Sequence, residues 1–91
     1  MIRRKPTGRD VKVTFALPTD SSPARVSVVG DFNSWIPGAH TLIKRTNGTR
    51  SVSVTVPRGS VYRFRYLAEG GDWFDDPEAD GFTPEGGLLH A

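Results

Sequence analysis

Residues 61–68, Val-Tyr-Arg-Phe-Arg-Tyr-Leu-Ala, set Tyr62, Phe64 and Tyr66 against Val61, Arg63, Arg65 and Leu67. Successive side chains of a strand point to opposite faces, so this period-two alternation reads as a half-buried β-strand. The pattern recurs upstream. Val11, Val13, Phe15 and Leu17 alternate with Lys12, Thr14 and Ala16, and Val52, Val54 and Val56 alternate with Ser53 and Thr55. Residues 25–30 (RVSVVG) and 40–44 (HTLIK) suit two further strands, and a short one at Asp72–Phe74 completes the set. All seven prolines fall outside these runs, as residues without a ladder N–H should. Asn47-Gly48 supplies two positive-φ positions for a type I′ turn, which predicts an antiparallel hairpin over 40–56. Asn47-Gly-Thr49 also matches a glycosylation sequon, but the turn explains it better.

About six short strands with no amphipathic helix and no internal repeat point to an all-β, immunoglobulin-like antiparallel sandwich of six to seven strands. Ninety-one residues allow one domain, since a chain of this size buries only about 60–65% of its unfolded surface in a single core. Residues 1–10 read as a flexible basic arm and 11–91 as the domain. The end, Gly86-Gly-Leu-Leu-His-Ala91, looks too short for a complete closing strand, which would leave a sheet edge open.

With no cysteine, disulfides, thiolate metal sites and a cysteine nucleophile are excluded, and a reducing compartment is the default. The basic start has no apolar segment behind it and no run approaches the roughly 18 apolar residues of a membrane span, so a cytoplasmic protein is expected. All twelve Lys and Arg lie in residues 1–68, which carry a net charge of +9, whereas residues 69–91 carry −7. Such halves can mean a nucleic-acid face with an acidic tail. On a folded β domain they are expected to neutralise each other, and nucleic acid is not expected as a partner.

The two histidines, His40 and His90, offer little for a catalytic triad, and an enzyme is not expected. Asp72–Asp80 is rich in carboxylates, but a glycosidase needs two that face each other across a cleft about 5–9.5 Å wide, and neighbours such as Asp75 and Asp76 diverge on extended backbone. Asp76-Pro-Glu-Ala-Asp-Gly81 partly matches a calcium loop, yet its twelfth position is Gly87 in place of a bidentate glutamate, so neither a metal nor another cofactor is expected. The tryptophans are more telling. Trp35 sits among turn formers and Trp73 between Gly70-Gly71 and a run of acids, so both look peripheral. A flat indole near water, with its N–H free, suits the C–H face of a glucose ring while nearby polar groups take the hydroxyls.

Three ordered motifs, Val28-Val-Gly-Asp-Phe-Asn-Ser-Trp35, Tyr62-Arg-Phe-Arg-Tyr-Leu-Ala-Glu-Gly70 and Trp73-Phe-Asp-Asp-Pro77, resemble the isoamylase N-terminal, or early-set, domain. This is the family 48 carbohydrate-binding module, which includes the glycogen-binding domain of the AMP-activated protein kinase β subunit. The resemblance covers about Val11 to Pro84. It implies non-catalytic binding of α-1,4-linked glucan (glycogen, starch or maltodextrin), with Trp35 and Trp73 stacking on glucose and Arg65, where the family usually has lysine, bonding to hydroxyls. In branching and debranching enzymes the similar domain packs its tryptophan turn on another domain. That implies an alternative of a different class, an interaction module that docks on a separate glucan-processing enzyme or on its own copy. Further family contacts on the last loop and strand find no counterpart in Glu85–Ala91.

Overall fold

The computed structural model describes residues 1–19 and 25–91; Pro23 lies outside them. The described residues form β1 (Ile2–Thr7), β2 (Asp10–Pro18), β3 (Val26–Gly30), β4 (Ile43–Lys44), β5 (Thr49–Pro57), β6 (Val61–Ala68), β7 (Asp72–Phe74), β8 (Gly81–Thr83) and β9 (Gly86–His90), with one 3₁₀ turn at Asp31–Asn33. They make two antiparallel sheets, β1-β2-β5-β4 and β3-β6-β9-β8, and β7 and β9 take successive stretches of one edge of β6. The expected β-sandwich is present.

The alternation places the core where it should lie. Val11, Val13, Phe15, Leu17, Val54 and Val56 of the first sheet meet Val26, Val28, Phe64, Tyr66, Ala68 and Leu89 of the second, all buried. Phe15 is the hinge of this contact, with ring centroids 5.2 Å from Phe64 and 5.7 Å from Phe32, and burying such a side chain stabilises the fold by about 1.5–3 kcal/mol. Tyr66 is buried with its hydroxyl donating to Asp76 at 2.7 Å, so the one deeply buried carboxylate among the described residues has a partner. Burial first, then that carboxylate, hold the Tyr66 phenol well above its usual pKa.

Four expectations need correction. Ile2–Thr7, read as an arm, pairs with β2 from Ile2↔Phe15 to Thr7↔Asp10; Arg4 and Pro6 share the side of Ile2, but only Ile2 packs on the core, which is why no apolar alternation marks the strand. Pro6 therefore lies inside a strand, but an edge strand, where a missing N–H is tolerated. The final residues, read as too short, form β9 and pair Val61↔His90 to Phe64↔Gly87, while β8 pairs beyond them. Residues 40–44 change sheets midway: Thr41 bridges Ser27 of the second sheet, Ile43 and Lys44 join β5 of the first, and Leu42 between them enters the core. The hairpin at 47–48 exists without a type I′ turn. Only Gly48 has positive φ (78°), and Arg45 N–H donates to Thr49 O at 2.7 Å, enclosing a three-residue loop with glycine in the left-handed position. Asn47 keeps negative φ and accepts a 2.6 Å bond from the Thr49 hydroxyl.

Candidate functional site

Facing away from the core, the second sheet carries the odd residues of β6: Val61, Arg63, Arg65 and Leu67. Paired residues share a face, so Trp73 stands beside Leu67, Val29 beside Arg65 and Leu88 beside Arg63. Trp73 and Arg65 thus occupy one surface, in rows about 7 Å apart. Trp73 is 47% exposed, an unusual position for the largest apolar side chain. Val29 is buried yet lies outside the core cluster, so this face is partly covered near Arg65.

Trp35 reaches the same surface from the turn after β3. Gly30 has no room for a side chain: a Cβ would lie 2.5 Å from Arg63 O and 2.9 Å from Phe64 Cβ, so β3 and β6 can close at this point only over glycine. The chain then makes its 3₁₀ turn and enters the left-handed region at two consecutive non-glycine residues, Ser34 (φ 57°) and Trp35 (φ 56°). Left-handed backbone at ordinary residues costs about 1–3 kcal/mol each and persists only where neighbours over-determine it. Here they do. Asn33 Oδ1 accepts from Gly30 N–H and its Nδ2 donates to Val28 O and His40 Nδ1, all at 3.0 Å. Trp35 N–H donates to Gly30 O at 2.9 Å.

The indole is fixed in turn by Asp31. Trp35 Nε1–H donates to Asp31 Oδ1 at 2.7 Å, while Asp31 Oδ2 accepts from Arg63 backbone N–H at 2.8 Å and from Arg63 Nε at 3.4 Å. Partial burial alone would raise the Asp31 pKa, but the Arg63 N–H, the Trp35 indole and the Arg63 guanidinium outweigh it and hold the carboxyl below the usual range. The indole N–H is therefore spoken for, contrary to the expectation of a free donor, and a ligand would meet the ring face. Trp35 is half-buried and lines, with Arg63 and Glu85, a hollow of about 270 Å³.

Arg65 lies between the two tryptophans. Its Nε donates to Asp75 at 3.2 Å and its Nη2 to Pro84 O at 3.0 Å, two of the five N–H groups of the fork. Its stem crosses β9 at Gly86, where φ is 139° and a Cβ would come within 3.0 Å of Arg65 Cγ. Leu67, beside Trp73, and Arg63, beside Trp35, are four residues apart, or about 13 Å along the strand. The three expected residues share one face, spread out along β6. Next to Leu67 opens a groove of about 410 Å³ bordered by Ser27, Pro37, Thr41, Gly70 and Gly71.

The acidic stretch serves the fold. Asp75 bonds to Arg65 on the outer face, Asp76 to Tyr66 on the core side, and Asp80 to Arg4 and to His90 N–H. Among the described residues no group of three or more His, Cys, Asp or Glu is placed to hold a metal ion. Sequence reading missed three members of the surface: Asp31, Arg63 and Glu85. An acid four residues before a turn tryptophan was a usable signal for Asp31; Glu85 had none, because only β9 pairing brings its loop to Trp35. No protein-family model matches this chain, and no curated protein does.

Proposed function

We propose that this chain is a non-catalytic module that binds α-1,4-linked glucan across the outer face of the second sheet. Trp73 and Trp35 offer ring faces to glucose units, and Arg65, mounted on a paired strand, donates its remaining N–H groups to hydroxyls. The observation that carries the reading is Trp35. A bulky residue is held in left-handed backbone, its N–H tied to Asp31, on the face that also bears an exposed tryptophan. Strain maintained by so many bonds is a feature of binding sites, where it pre-organises a side chain. The motif resemblance supports the same reading. A small exposed site of this kind gives micromolar to millimolar affinity.

The alternative, a module that docks through its tryptophan turn and an open final edge, keeps the turn but loses the edge, where β9 and β8 are paired. Affinity electrophoresis through gels containing glycogen tests the proposal. Migration of the wild type slows with glycogen content, and Trp73→Ala and Arg65→Ala migrate as in its absence; an unretarded wild type ends the glucan reading and returns the docking one.

A further inference from the structure

The first sheet has its own outer face, which no part of the glucan reading uses. Its outward residues run in rows across the strands: Lys5, Lys12 and Thr55, then Arg3, Thr14 and Ser53. Lys5 and Lys12 stand directly opposite each other, with Cβ atoms about 5 Å apart, and like charges so placed destabilise a sheet. Arg3 follows about 7 Å further along β1. From the far edge Arg45 folds over the sheet, its Nε donating to Ser51 Oγ at 3.0 Å. Between Arg3 and Arg45 lies a hollow of about 270 Å³ edged by the hydroxyls of Thr14, Thr49 and Ser51, with Met1, Ala16, Leu17 and Pro18 also in its lining. Acids border the face in two places, Asp10 beyond the Lys5 row and Glu78 at the hollow, where it faces the Met1 ammonium at 3.6 Å. The expected neutralisation between chain halves is carried by Arg4, Arg65 and the Met1 ammonium; among the described residues Arg3, Lys5, Lys12 and Arg45 are in no salt bridge with a carboxylate.

We infer that this face binds the phosphate backbone of double-stranded nucleic acid, without sequence preference. Four cations with no carboxylate partner among the described residues, interleaved with hydroxyls, are the donor types that phosphate oxygens receive from proteins. The chemistry of the face selects among polyanions. Single strands are held by stacking on aromatic rings, and the one aromatic side chain on the four strands of this sheet, Phe15, points inward. A membrane surface calls for bulky apolar residues that insert, and the outward apolar residues of these strands are Ile43 at the rim, the small Ala16, and Pro18 and Pro57 at strand ends. A rigid duplex needs neither. Opposed lysines, a cost to folding with no carboxylate partner among the described residues, are then accounted for by a charge that arrives from outside.

The test is fluorescence anisotropy with a labelled 20-bp duplex, the matching single strand, poly-glutamate and phosphatidylserine vesicles as competitors. The expected result is duplex binding that falls with salt at a log–log slope of about −3.6, or about 150-fold weaker at 200 than at 50 mM, for four phosphates neutralised. Lys5→Glu should lower that slope to about −1.8 through the loss of Lys5 and the engagement of Lys12. Its thermal midpoint should not drop, which separates lost binding from unfolding. Trp73→Ala should bind duplex as the wild type does. Absence of duplex binding at 50 mM salt, an unchanged Lys5→Glu, loss of binding in Trp73→Ala, or equal or tighter binding of the single strand, poly-glutamate or vesicles overturns the inference.

Discussion

Outward positions on the first sheet carry Arg3, Lys5, Lys12, Thr14, Ser53 and Thr55; on the second they carry Arg63, Arg65, Leu67, Trp73 and Leu88. Both sets come from the same alternation against one shared core, but they are stabilised differently. On the second sheet the cations are tied down, Arg63 to Asp31 and Arg65 to Asp75, around an exposed ring and a strained turn. On the first they are in no salt bridge with a carboxylate among the described residues, and two of them oppose each other. Period two decides which residues face out, whereas partners brought from loops decide what an outward face becomes. The second sheet receives the 30–35 turn and the 75–85 segment; its surface is consequently mixed, while the first stays basic.

Closing the gap at Gly30 is the strongest way to break this contrast. Gly30→Ala drives a Cβ against Arg63 O and Phe64 Cβ, neither of which can swing aside, and should cost about 1–3 kcal/mol, toward the upper end, in denaturant unfolding. Because the turn carries Trp35, glucan retention should fall with it. Asp31→Ala cuts the link between Trp35 and Arg63 and should cost about 1 kcal/mol, reduced by solvent exposure. Its pH signature is sharper. The folded Asp31 pKa lies below the unfolded one, so the folded state holds fewer protons between the two. The contribution is complete above the ordinary carboxylate range and drains as pH falls through the depressed folded value. Acid unfolding of Asp31→Asn should therefore be shallower below about pH 4 than that of the wild type.

On the other sheet, Lys5→Glu turns a like-charge pair into an opposite one and should raise stability by about 0.2–1 kcal/mol, an effect that high salt removes. The smallest change in stability belongs to Trp73→Ala, within about 0.5 kcal/mol in thermal unfolding, because nearly half of that side chain is already in water.

How far the sequence carried depended on whether alternation was present. β2, β5 and β6 were readable because each turns several apolar side chains to the core, and β3 because its valines form a short run. β1 was not, since Ile2 is its one apolar residue packed on the core, and β9 was not, since two glycines leave Leu89 alone in the core. At the candidate site, flanking glycines and acids signalled the exposure of Trp73. The left-handed backbone of Trp35 carried no signal, because Ser-Trp has no glycine to announce positive φ and is held there by Asn33 and Asp31. Glu85 entered through pairing of residues distant in sequence.

The most direct test of the account is the pair of indole N–H signals in a proton–nitrogen NMR spectrum during titration with maltoheptaose. The Trp73 signal should move progressively and saturate between micromolar and millimolar sugar, with a smaller shift for Trp35, whose N–H stays on Asp31. Both signals unmoved at several millimolar sugar, in a protein that remains folded, would contradict it.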